Sequence, residues 1–190
     1  MIKIGSEIPN IKIFDKHGST ITWTDTHTLF ANKKILLIGL PGLFLIEYAA
    51  TQMISYDLLF DDIKQLGIDE IYFTSVDDYY VQRAYSKDQE LQNVKHFADP
   101  SGRWCEAIGM IEDMEHEGLG NRRSHRYAMI IDNCICKTVK YEDFSQNPVT
   151  GCFNITDVDS ILTYLQSIQT TWEKWNDNAR DKVDANARER

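Results

Sequence analysis

Cysteine is scarce, with four in 190 residues: Cys105, Cys134, Cys136 and Cys152. A chain this long can bury an apolar core of its own, so a disulfide-stapled secreted scaffold is excluded and the thiols are expected to be reduced. Long apolar runs are missing as well. The longest, Ile35 to Ile46, falls well short of the ~20 residues a membrane-spanning helix needs, so no membrane is expected as a partner. Positive charge is in deficit: 20 basic side chains face 29 acidic ones, for a net charge of −9. That balance repels phosphate backbones and anionic lipid, which removes nucleic acid as a partner. The start, Met1 to Glu7, lacks the basic region, apolar stretch and cleavage site of a signal peptide, and a cytoplasmic protein is expected. No internal repeat, Gly/Ser linker or Gly-rich phosphate loop interrupts the body, so residues 1–168 read as one domain with no bound cofactor.

The order of segments alternates strand and helix. Lys16-His17-Gly18-Ser19 followed by Thr20 to Trp23 predicts an opening hairpin of edge strands. Lys33 to Leu40 is a short apolar run stopped by Pro41, the mark of a central strand buried on both faces. Apolar residues from Glu47 to Leu66, Leu58 among them, recur at helical spacing and end at Gly67, a C-cap glycine. Glu70 to Val76 predicts a second buried strand. Tyr79 to Ser86 and Gln89 to Val94 predict helix, and Lys95 to Ala98 a short strand. Ser101 is expected to cap a helix through Trp104, and two strands are expected around an Asp132-Asn133 turn. Val158, Ile161, Leu162, Leu165 and Ile168 form one face of a last helix. The fold class is α/β with a mixed sheet. Residues 169–190 read as a charged C-terminal extension, helical or disordered, in which Trp172 and Trp175 are candidate anchors on the body or on a partner.

Five blocks then stand in a particular order: Gly39-Leu40-Pro41-Gly42-Leu43-Phe44, Ser75-Val76-Asp77-Asp78, Ala98 to Gly102, Ala107 to Met110, and Arg123 to Met129. Together they resemble the peroxiredoxins, most closely the type II, peroxiredoxin 5-like group, from the N-terminus to about Leu165. The resemblance implies a thioredoxin-like domain with its active-site loop and helix after the Ile35 to Leu40 strand. It also exposes a departure. The family's loop runs Pro, three residues, Thr, two residues, Cys, whereas here Pro41 is kept but Leu45 and Tyr48 stand at the Thr and Cys positions. A phenol of pKa ~10 cannot replace a low-pKa thiolate that attacks peroxide and carries away the oxygen as a sulfenic acid. Leu45 offers no hydrogen bond to either. The following helix reads Gln52, Ile54 and Ser55 where the family has a His and a Pro-Gly pair. Arg126 remains at the position of the peroxide-activating arginine, Phe44 offers an apolar rim, and Glu47 is a candidate ion-pair partner for Arg126.

The other thiols are weighed in turn. Cys105, beside Trp104, Ala107 and Ile108, reads as a core thiol. Cys134 and Cys136 share a strand face and would form a strained disulfide, and no second pair completes a metal site. Cys152 lies a few residues from the place where some subfamily members keep a resolving cysteine. The acidic run Glu112 to Glu117, with His116, reads as a solvated loop rather than a cation site, and His125 as a surface residue. The reading is a peroxiredoxin-like pseudoenzyme that acts by binding or oligomerisation, as a homodimer or with an active peroxiredoxin or a thioredoxin-type protein. Two alternatives stay open: a thiol peroxidase using a relocated Cys152 or Cys105, and a small-ligand binder using the Arg126 pocket.

Overall fold

A computed structural model describes residues 1–17, 20–45, 52–142 and 154–170. Lys12–His17 (β1) pairs antiparallel with Thr20–Asp25 (β2), as expected of the hairpin, although the two form a separate sheet beside the main one rather than its edge. Asp25 caps the short helix Thr26–Phe30 (α1), its carboxylate accepting the Thr28 N–H at 2.8 Å. Lys34–Gly39 (β3) is the central strand, with Ile35 to Ile38 wholly buried because helices or loops cover both faces.

The segment expected to be one helix from Glu47 to Leu66 is instead broken. Residues 46–51 lie outside the description, and the remainder forms Gln52–Leu58 (α2) and Phe60–Gln65 (α3), separated at Leu59, whose φ of −98° and ψ of 17° leave helical geometry. Leu58 is therefore not a core residue; it is 78% exposed. Gly67 ends α3 at a φ of +87°, where a side chain would be strained.

Glu70–Ser75 (β4) follows, then Tyr79–Asp88 (α4), capped by the Asp78 carboxylate. Residues 89–94 are turns, not the helix their pattern suggested, because the chain must reverse before Lys95–Ala98 (β5). Arg103–Ala107 (α5) is not capped by Ser101. Gly102 holds the cap position at a φ of +63°, and the buried Asp99 carboxylate accepts the Cys105 N–H at 3.0 Å. The acidic run is not a loop either. Ile111–Met114 (β6) pairs antiparallel with Gly120–Ser124 (β7) across a 3-10 turn at Glu115–Glu117. Tyr127–Asp132 (β8) and Ile135–Tyr141 (β9) close the hairpin, one residue later than expected: Asn133 and Cys134 take positive φ of 46° and 65°. A last helix over residues 158–170 (α6) buries Val158, Ile161 and Leu165.

The main sheet runs β5-β4-β3-β8-β9, parallel across β5, β4 and β3 and antiparallel beyond, a mixed α/β sheet as expected. Alternation along β3 sends Leu36 and Ile38 to one face, with α2, α3, α4 and α6, and Ile35 and Leu37 to the other, with α1 and α5. Two cores result. No described helix is long and apolar enough to cross a membrane.

Candidate functional site

The chain leaves β3 at Leu40, whose N–H still reaches Thr74 O at 2.9 Å, and turns through Pro41 to Leu43. Three groups hold this turn in place. The Leu43 N–H donates to Asp77 Oδ2 at 2.8 Å, which also accepts the Ser75 hydroxyl at 3.0 Å. Arg123 Nη1 lies 3.8 Å from Asp77 Oδ1 and 3.4 Å from Pro41 O, while its Nε donates to Leu119 O at 2.6 Å. A Cβ at Gly42 would stand 2.9 Å from Leu45 Cδ1 and 3.2 Å from the Arg123 guanidinium, so these side-chain ends pack directly on the turn's backbone. Phe44, at a φ of +50° and half exposed, meets the Tyr85 ring edge-on at 5.4 Å. Leu45 is half-buried at the end of the described turn. Tyr48 and Glu47 lie outside the described residues, as do Cys152, Trp172 and Trp175.

Arg126 enters from the start of β8 on the Leu36 and Ile38 side of the sheet, and it is only 1% exposed. A buried guanidinium demands an acceptor. Its Nη1 donates to Gln52 Oε1 of α2, in a short contact. The Gln52 amide then donates to Thr156 O at 2.8 Å, and one turn later the Tyr56 hydroxyl donates to the same oxygen, also at 2.8 Å. Residues 154–156 are gathered in turn by Glu142, whose Oε1 accepts the N–H groups of Asn154, Ile155 and Thr156 and the Thr156 hydroxyl, all between 2.8 and 3.0 Å. Burial raises the Tyr56 phenol well above its ordinary range; Asp157 and Glu142 push the same way and Arg126 opposes them. Tyr85 is pushed up to about 12 by burial, with Arg126 again opposing. Both phenols stay neutral at physiological pH.

The three described thiols belong to the opposite face. Cys105, Cys134 and Cys136 pack in the cluster with Ile35, Leu37 and Met129, and all three are free and buried. Cys105 behaves as the expected core thiol; burial pushes it far up, aided by the Asp99 charge. Burial also raises Cys134 and Cys136. These two do not sit as a strand-face pair, since Cys134 occupies the turn and its thiol points to His27 O at 3.5 Å. His125, taken as a surface residue, is half-buried with Nδ1 3.1 Å from Glu112 Oε2. Among the described residues no trio of His, Cys, Asp or Glu is grouped to hold a metal ion.

The chain matches the Redoxin family over residues 3–162. It is 34% identical to a peroxiredoxin of Rhizobium etli over 148 residues, 76% of this chain and 82% of that one. The chain belongs to the peroxiredoxin family. This peroxiredoxin-family chain is also 29% identical to the hybrid peroxiredoxin hyPrx5 of Haemophilus influenzae over 161 residues, or 85% of its own length, and spans 65% of that protein. Among solved structures, it matches reduced Prx3 of Vibrio vulnificus in complex with hydrogen peroxide at a TM-score of 0.76 and 30% identity, over 87% of this chain and 97% of that one. The thioredoxin-like fold implied by the five sequence blocks is thereby established.

Arg126 and Gln52 stand apart in the sequence and nothing there joins them, while Glu47, the expected ion-pair partner, lies outside the described residues. Gln52 and Tyr56 are four apart on one helix face, a spacing that marks them as a unit. Nothing in the order of residues announced Glu142 or Arg123 as the groups that hold the surrounding turns.

Proposed function

We propose that this protein is a peroxiredoxin without thiol-peroxidase turnover, acting by binding, with a second copy of itself as the first partner to test. The observation that carries this reading is the engagement of the Arg126 guanidinium by the Gln52 amide, in a chain with no cysteine before residue 105. Peroxide reduction by this family's chemistry needs a thiolate beside a cation that lowers its pKa and draws electron density along the O–O bond. Here Tyr48 takes the position that resemblance assigns to that thiolate, and Leu45 the position of its hydroxyl donor. The described thiols stand on the far side of a five-stranded sheet from Arg126, and burial keeps them protonated.

The test is to mix the fully reduced protein with a small excess of hydrogen peroxide, follow peroxide loss over seconds, and take an intact mass. Loss no faster than that of free thiols supports the reading. Fast loss with one oxygen added or two hydrogens removed overturns it, and if Cys152→Ser abolishes that loss, the chemistry has moved to Cys152. Self-association is checked by light scattering across micromolar concentrations, where a monomer throughout would remove the homodimer and turn the search to an active peroxiredoxin or a thioredoxin-type protein.

A further inference from the structure

At the end of the sheet away from Arg126, an open groove of about 590 Å³ runs between α6, the paired ends of β8 and β9, and the last turn of α3. Leu66, Ile130, Leu165 and Ile168 form its apolar part. Two of these belong to the stripe of α6, Val158, Ile161, Leu165 and Ile168, spaced three, four and three apart, and the sequence carries the same spacing onward to Trp172 and Trp175. Twenty residues follow Thr170, and Trp172 is only two residues past it.

We propose that this groove is closed by the chain's own Trp172, with Trp175 behind it. Ile168 lines the groove from the stripe of α6, and Trp172 stands four residues further along that same stripe in the sequence. An indole is the side chain suited to the space, offering ~150–250 Å² of surface for burial and an N–H for the polar rim. A segment tethered this closely acts at an effective concentration near the millimolar range, far above a second copy at micromolar concentration, and it is therefore the occupant. This inference is independent of whether the protein turns over peroxide.

Tryptophan emission tests it in the full-length chain. Trp23→Phe removes the exposed indole on β2 and leaves the buried Trp104 with Trp172 and Trp175. In that protein most of the emission is expected to resist acrylamide, and Leu66→Asp in the groove is expected to make about two thirds of it quenchable. The pair Trp172→Ala and Trp175→Ala should lower Tm by roughly 4 °C at every protein concentration. Free quenching of two indoles in the Trp23→Phe protein, together with an unchanged Tm in the Trp pair variant, would overturn the proposal. So would protection that vanishes on dilution while sedimentation shows a dimer, which would assign the groove to a second copy. Should Leu66→Asp fail to fold, the Trp pair variant alone decides, since it alters no residue of the two cores.

Discussion

The side-chain carbonyl of Gln52 accepts the Arg126 guanidinium although the two residues are 74 positions apart. A buried cation thus meets a neutral amide that is itself anchored on Thr156 O. Gln52→Leu removes one acceptor of the buried Arg126 and leaves its Nη1 without that bond, so stability should fall by ~2 kcal/mol, read as a lower urea midpoint at constant slope. Replacing Arg126 together with Gln52 by apolar residues should recover part of that loss, because the buried charge is then removed along with its lost acceptor.

Gly39 faces Tyr127 across the β3–β8 ladder, and a Cβ there would lie 2.0 Å from the ring. The ring cannot yield, being wholly buried with its hydroxyl accepting the Trp104 indole N–H at 2.8 Å. Gly39→Ala should therefore cost ~3 kcal/mol or more, and Gly39→Ala with Tyr127→Leu much less.

Glu70 collects Lys95 at 2.7 Å, Lys33 at 3.2 Å and the Tyr72 hydroxyl at 3.0 Å. Burial alone would raise its carboxyl, but these partners outweigh it and hold the group below its ordinary value of 4.5. A carboxyl depressed in the folded state stabilises above its unfolded value, and that contribution is lost as pH falls through the folded one. Wild type should thus lose stability relative to Glu70→Gln below about pH 4.5, by less than ~1 kcal/mol given the half-exposed lysines. Thermal melts of both proteins from pH 7 to pH 3 would show it.

Cys105 and Cys136 are wholly buried and their thiols are raised. Neither should react with a maleimide in the native protein at pH 7, while all four cysteines react in urea. Peptide mapping of native labelling at Cys105 would contradict the packing described.

What was legible in the sequence is what local rules control. The β3 run from Ile35 to Ile38 and the stripe of α6 were evident because burial on two faces or one leaves a pattern in consecutive residues. The break at Leu59 was not, since Leu58 fits the helical stripe and only the packing of α2 and α3 turns it outward. The acidic run became strand β6 because β7 was there to pair with it, and pairing partners leave no mark in a segment's own composition.

The order of residues, by itself, determined the α/β class, the placement of the central strand, the absence of any thiol before residue 105 and the family resemblance. Only the tertiary structure decided which face of the sheet Cys105, Cys134 and Cys136 occupy and that Gln52 meets Arg126. Both depend on strand register and on helix placement across more than seventy residues. A single-residue shift of register would reverse every side chain on a strand while leaving the sequence pattern unchanged.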